Sequence, residues 1–67
     1  MEFKLEGDYI EMIKLLKLTG ICESGGAAKQ AVNEGEILYN GAVDFRKRLK
    51  VRKGDVVSAF GEEIKVV

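Results

Sequence analysis

The spacing of hydrophobic positions changes several times along the chain. In Glu2–Leu5, Phe3 and Leu5 fall on one face, as in a short strand, and Gly7-Asp8 breaks the pattern. From Tyr9 the apolar residues fall at Tyr9, Met12, Ile13 and Leu16, which is helical periodicity. Leu15 and Leu18 widen that stripe, and Lys14 and Lys17 sit on the other face. Asp8 reads as the N-cap, with Glu11 at capping-box spacing, and Gly20 as the C′ glycine. Ser24 is a second N-cap candidate, for a helix from Gly25 to Glu34 that stops at Gly35. The stripe of this helix, Ala27, Ala28, Ala31 and Val32, is narrow and built of small residues, so it can lie close against the first helix. Lys29, Gln30 and Asn33 face outward. With Ile21–Glu23 as a short connector, the two helices make a hairpin.

The second half of the chain reads as strands. Glu36–Tyr39 is followed by Asn40-Gly41, a strong signal for a type I′ turn, which needs φ > 0 at both central positions. Ala42-Val43 begins the return strand. Phe45–Lys53 is a basic segment punctuated by Leu49 and Val51, and Lys53-Gly54-Asp55 is a turn. Val56–Phe60 and Glu63–Val67 are strands around a turn at Gly61-Glu62. Proline is absent, so glycine, asparagine or aspartate must make every turn. The expected fold is α+β: a two-helix hairpin packed on a small, mostly antiparallel sheet.

At 67 residues the chain reads as one domain, 1–67, with no repeat or linker. A domain of this size buries only about 60% of the surface its unfolded chain exposes, so few residues are free to build a deep pocket. The 46% hydrophobic and 33% charged composition is that of a compact fold rather than a disordered tail. No apolar run is long enough to span a membrane, and Met1–Leu5 lacks the features of a secretion signal, so a cytoplasmic protein is expected. A monomer is the expected state. Cys22 is the single cysteine and histidine is absent. That composition excludes an internal disulfide, the usual zinc sites, and Cys–His or Ser–His nucleophile pairs. The carboxylates are scattered, with no pairing that suggests acid–base work. No catalytic residue, metal or cofactor is expected.

Charge changes the picture most. The net charge is zero, but residues 1–44 carry four lysines against eight acids. Residues 45–54 carry Arg46, Lys47, Arg48, Lys50, Arg52 and Lys53 with no acid, a net of +6. Such a cluster repels itself unless solvent or an anion screens it, which suggests a directed binding face for a polyanion. A solvated strand edge would account for the alternating Lys50, Arg52 and Lys53, but accounts less well for the consecutive Arg46-Lys47-Arg48. Ser24-Gly25-Gly26 opens a helix whose first amides lack internal partners and attract anions, and Lys29 lies one turn further on. By itself this is ordinary capping, since no strand–glycine loop–helix unit is present. Cys22 reads as a small connector residue, and Phe45 either stacks on a base or joins the core. A basic face of this kind suits a nucleic acid or, alternatively, an acidic protein partner for which the chain would be an adaptor.

Several segments recur in a known order: Leu15-Leu16-Lys17-Leu18, Glu23–Lys29, Glu34-Gly35-Glu36-Ile37, Asn40-Gly41-Ala42-Val43, Arg46-Lys47-Arg48 and Gly54-Asp55-Val56-Val57. In this order and spacing, over about Tyr9 to Val67, the chain resembles the RNA-binding domain named after small-subunit ribosomal protein S-four. Within that family it is most similar to the small stand-alone bacterial YbcJ-like members. The resemblance implies an αL motif, two helices followed by strands, with ribosomal or transfer RNA held along the hairpin and the adjoining loop. By position it implies RNA-binding roles for Lys17, Ser24, Gly25, Gly26 and Lys29, for Asn40 at the turn, and for Arg46, Lys47, Arg48 and Lys50. Many members carry an arginine just after the capping serine. Gly25 stands there in this chain, which shifts more of the expected affinity to the basic segment.

Overall fold

The computed structural model describes residues 1–67. The elements in order are β1 (Glu2–Phe3), β2 (Ile10–Glu11), α1 (Met12–Leu18), α2 (Gly25–Asn33), β3 (Ile37–Tyr39), β4 (Ala42–Val43), β5 (Lys50–Val51), β6 (Val56–Ala59) and β7 (Glu62–Val66). The fold is α+β. The helical hairpin packs on a five-stranded sheet of order β1-β7-β6-β3-β4, antiparallel except where β1 joins β7, and β2 and β5 form a separate antiparallel ladder. No helix is long and apolar enough to cross a membrane.

One apolar core joins the layers. α1 contributes Met12, Leu15 and Leu16, α2 contributes Ala28, Ala31 and Val32, and the sheet contributes Ile37, Val57, Ala59, Ile64 and Val66. Every fully buried side chain is apolar. The alternation of Val57 with Ala59, and of Ile64 with Val66, sets the register, because a slip of one residue would turn both pairs to solvent.

The start of α1 departs from the expected cap. Glu11, not Asp8, is the N-cap, and its side chain makes no capping bond. The cause is tertiary. Ile10 and Glu11 pair with Val51 and Lys50, and the Met12 N–H donates to the Leu49 carbonyl at 2.9 Å. The ladder thus runs up to the helix and gives the first of its unpaired amides a backbone acceptor. Tyr9 therefore precedes the helix, and both Tyr9 and Leu18 are exposed rather than part of the buried stripe. α2 begins as expected, with Ser24 Oγ accepting from the Ala27 N–H at 3.1 Å. It ends one residue early, at Asn33, where Gly35 at φ 75° lets the Gly35 and Glu36 N–H groups donate to Val32 and Ala31.

The Asn40-Gly41 turn has φ 50° and 89°, the expected type I′ signature. The other hairpin turns one residue earlier than expected, because Ala59 pairs with Glu62 and the turn is Phe60-Gly61. Phe60 is thereby forced to φ 52° while 58% exposed. A left-handed residue with a Cβ costs roughly 1–2 kcal/mol, and asparagine tolerates the region best among residues other than glycine. Phe60→Asn is therefore expected to stabilise the protein by about 1 kcal/mol, a rise of roughly 4–8 °C in Tm. A lower Tm in a thermal melt would mean that the Phe60 ring contributes packing larger than the backbone strain.

Candidate nucleic-acid interface

Cations from three segments converge on one side of the helical hairpin. Lys14 and Lys17 are three residues apart and so share the exposed face of α1. Gly25 and Lys29 lie one turn apart on α2. The loop after β4 brings Lys47 and Arg48 to the same place. Its anchor is half-buried Leu49, whose carbonyl is held by the first helical N–H of α1. These six residues, with Glu11 and Ile13, line a shallow groove of about 460 Å³.

Arg48 also lines a second hollow of about 460 Å³, with Arg46, Leu49, Lys50 and Arg52. Beside it stands Tyr9, with Lys50 Nζ 4.9 Å and Arg52 Cζ 5.8 Å from the ring centroid. Two of the six cations in the segment have carboxylate partners. Arg46 grips Asp44 through Nε and Nη2, the latter at 2.6 Å, which holds the Asp44 carboxyl below the usual carboxylate range and raises the guanidinium. Arg48 Nε meets Glu11 Oε2 at 3.3 Å with its side chain 84% exposed, a pair that solvent screens to little value. Lys47, Lys50, Arg52 and Lys53 form no side-chain ion pair. The segment keeps a surplus of positive charge at the surface.

Of the residues expected from sequence to bind RNA, the fold gathers Lys17, Gly25, Lys29, Lys47 and Arg48 in the groove, and Arg46 and Lys50 in the second hollow. Ser24 adjoins Gly25 and spends its hydroxyl on the cap, and Gly26 is exposed next to it. Asn40 lies in neither hollow. Its Nδ2 donates to Asp55 Oδ1 at 3.3 Å and its Oδ1 accepts from the Val56 N–H at 2.8 Å. Asp55 Oδ2 also accepts from the Tyr39 hydroxyl at 2.6 Å and from the Arg52 N–H at 2.9 Å. Burial pushes the Asp55 carboxyl up. The hydrogen bonds from Tyr39, Arg52 and Asn40, with the Arg52 charge, outweigh it and leave the group below its ordinary value. The bond to Asp55 in turn holds the Tyr39 phenol above its ordinary value. Lys14 and Arg52 join the cation surface although the sequence reading did not single them out for it. Their signals were present: Lys14 is one helical step before Lys17, and Arg52 alternates with Lys50. Phe45 is exposed and rests against Gly35, 3.4 Å from where a Cβ would stand.

A family model described as the S4 domain matches residues 3–67. The chain belongs to the S4 domain family. Among members of that family, the Escherichia coli K12 protein named "Putative RNA-binding protein YbcJ" is 46% identical over 59 residues, 88% of this chain and 84% of that protein. The Bacillus subtilis 168 protein named "Probable ribosome maturation protein RlbA" is 37% identical over 57 residues, 85% of this chain and 80% of that protein. The solution structure of Escherichia coli YbcJ superposes with a TM-score of 0.76 at 43% identity, covering 98% of this chain and 85% of that one. It is described as revealing an αL motif involved in RNA-binding. The helical hairpin and mostly antiparallel sheet of this chain match that S4-type architecture.

Proposed function

We propose that this chain is a non-catalytic RNA-binding protein that holds structured RNA by its phosphates, with ribosomal RNA the best-supported class and transfer RNA the next. The observation that carries this reading is the convergence of Lys14, Lys17, Lys29, Lys47 and Arg48, from two helices and a loop, on one open groove. A groove bordered by point charges and one planar fork suits phosphate oxygens spaced along a backbone. Gly25 at the start of α2 lets a phosphate come close to the first amides of the helix, whose geometry leaves them without internal partners. Ser24 and Gly26 shape that entry, Arg46 and Lys50 extend the charge past Arg48, and Asn40 acts indirectly by joining its turn to β6. Selectivity would come from RNA shape, since the groove offers charge and few groups that read base edges. The name of the Bacillus subtilis relative favours a ribosomal ligand over a free one.

The test is affinity for a ribosomal RNA helix and for a transfer RNA across a salt series. If about four cations contact phosphates, log affinity falls against log salt with a slope of roughly −3 to −4. An affinity that does not change with salt overturns the reading.

A further inference from the structure

Beyond the groove, the cation surface ends at an aromatic side chain to which the phosphate-binding reading gives no contact with RNA. Tyr9 precedes β2 and is 44% exposed. It borders a hollow of about 310 Å³ whose apolar lining includes Phe3, Leu5, Ile10 and Leu18, and whose polar residues are two cations, Lys4 and Lys14, against one carboxylate, Glu6. Lys14 is the connecting residue, since it lines this hollow and the basic groove alike. Lys50 and Arg52 lie over the Tyr9 ring, so positive charge flanks the aromatic surface as well.

An aromatic face, an apolar floor and a cation at the junction with a phosphate-binding groove have the chemistry of one nucleotide, a planar base with an anionic linker. A tyrosine that served only to seal the core would be largely covered. Tyr9 and its neighbour Leu18, which is 57% exposed, leave the hollow open. We propose that Tyr9 and this hollow form a subsite for one unpaired nucleotide that continues from the RNA held in the groove, its base stacked on the ring and its phosphate met by Lys14. The proposal rests on the RNA-binding reading and adds to it a preference for a helix that ends in, or is interrupted by, a single strand.

The test compares two RNAs at fixed salt, a blunt helix and the same helix with a short single-stranded extension carrying 2-aminopurine. Stacking on the wild-type protein quenches the 2-aminopurine fluorescence, and the extension tightens binding roughly tenfold, about 1.4 kcal/mol. Tyr9→Ala removes that gain and leaves the blunt helix bound as before, while Tyr9→Phe, which keeps the ring face, retains it. If the extension adds no affinity and no quenching while the blunt helix still binds, the subsite is refuted and the groove stands. Equal weakening of both RNAs by Tyr9→Ala, with its thermal transition intact, also refutes the subsite. If neither RNA binds, both proposals fall. Should Tyr9→Ala not fold, the quenching measured with the wild-type protein decides the matter alone.

Discussion

Replacing Lys47 and Arg48 together by glutamate is expected to lower RNA affinity by two orders of magnitude or more and to leave the thermal transition in place. Both side chains border the groove, and Arg48 borders the second hollow as well. A hydrogen bond to a charged group contributes about 1.5–3 kcal/mol, so two lost phosphate contacts, with repulsion added by the new carboxylates, exceed a hundredfold. Stability should hold, because both residues are exposed and the segment is anchored by Leu49 and Val51 rather than by its charges. The single native partner lost is Glu11, at 3.3 Å in an exposed pair. Lys53→Glu is the matched control, since Lys53 lies on a turn and lines neither hollow. Filter binding at fixed salt, with circular dichroism to follow folding, reads both effects. An affinity for the double variant within threefold of wild type would move the interface elsewhere.

Asp55→Ala is expected to be the most damaging single change outside the apolar core. One carboxylate gathers the Tyr39 hydroxyl, the Asn40 amide and the Arg52 N–H, so its loss leaves three donors without their acceptor. Tyr39 is half-buried and cannot fully recover a water partner, whereas Asn40 is exposed and can. The expected cost is about 2–3 kcal/mol, a fall in Tm on the order of 10–20 °C for a domain of this length. Total stability at this length is roughly 3–10 kcal/mol, so the variant would be only marginally folded at physiological temperature. The same residue gives a pH signature. The folded-state carboxyl lies below its ordinary value, so its stabilising contribution is fully present above the unfolded carboxylate pKa of about 3.9 and is lost as pH falls through the lower, folded value. The wild-type protein should therefore lose stability below about pH 4, and the variant should lose less over that interval. Asp44, also held below its ordinary value by Arg46, acts in the same interval in both proteins. Identical acid profiles for variant and wild type would remove Asp55 from this role.

Local patterns were read most faithfully where the chain itself supplies the deciding contact. Ser24 caps α2 through an amide three residues away, and Asn40-Gly41 adopts positive φ because both residues tolerate it. Such contacts are written in the spacing of neighbours. The misreadings share the opposite cause. The capping-box spacing of Asp8 and Glu11 is a purely local signal, and the pairing of Ile10 and Glu11 with Val51 and Lys50, far along the chain, claims that stretch for a β-ladder. The turn at Gly61-Glu62 was displaced to Phe60-Gly61 because core burial of Ala59 and Ile64 fixed the strand register, and the backbone of Phe60 was strained to fit.

By itself the amino-acid sequence determined the α+β class, the two helices, the cation-rich segment and the family, because periodicity, glycine placement and charge order are properties of neighbouring residues. It also determined that the chain lacks the residue types for the usual nucleophile pairs and zinc sites. Only the tertiary structure decided which cations share a surface. Held through Leu49 against the first turn of α1, the basic loop places Lys47 and Arg48 beside Lys14, Lys17 and Lys29, turns Arg46 onto Asp44, and leaves Asn40 occupied with Asp55 and Val56. The physical reason is that a binding surface is made by residues distant in sequence. Their proximity is set by how the apolar side chains pack and not by any preference the charged residues carry themselves.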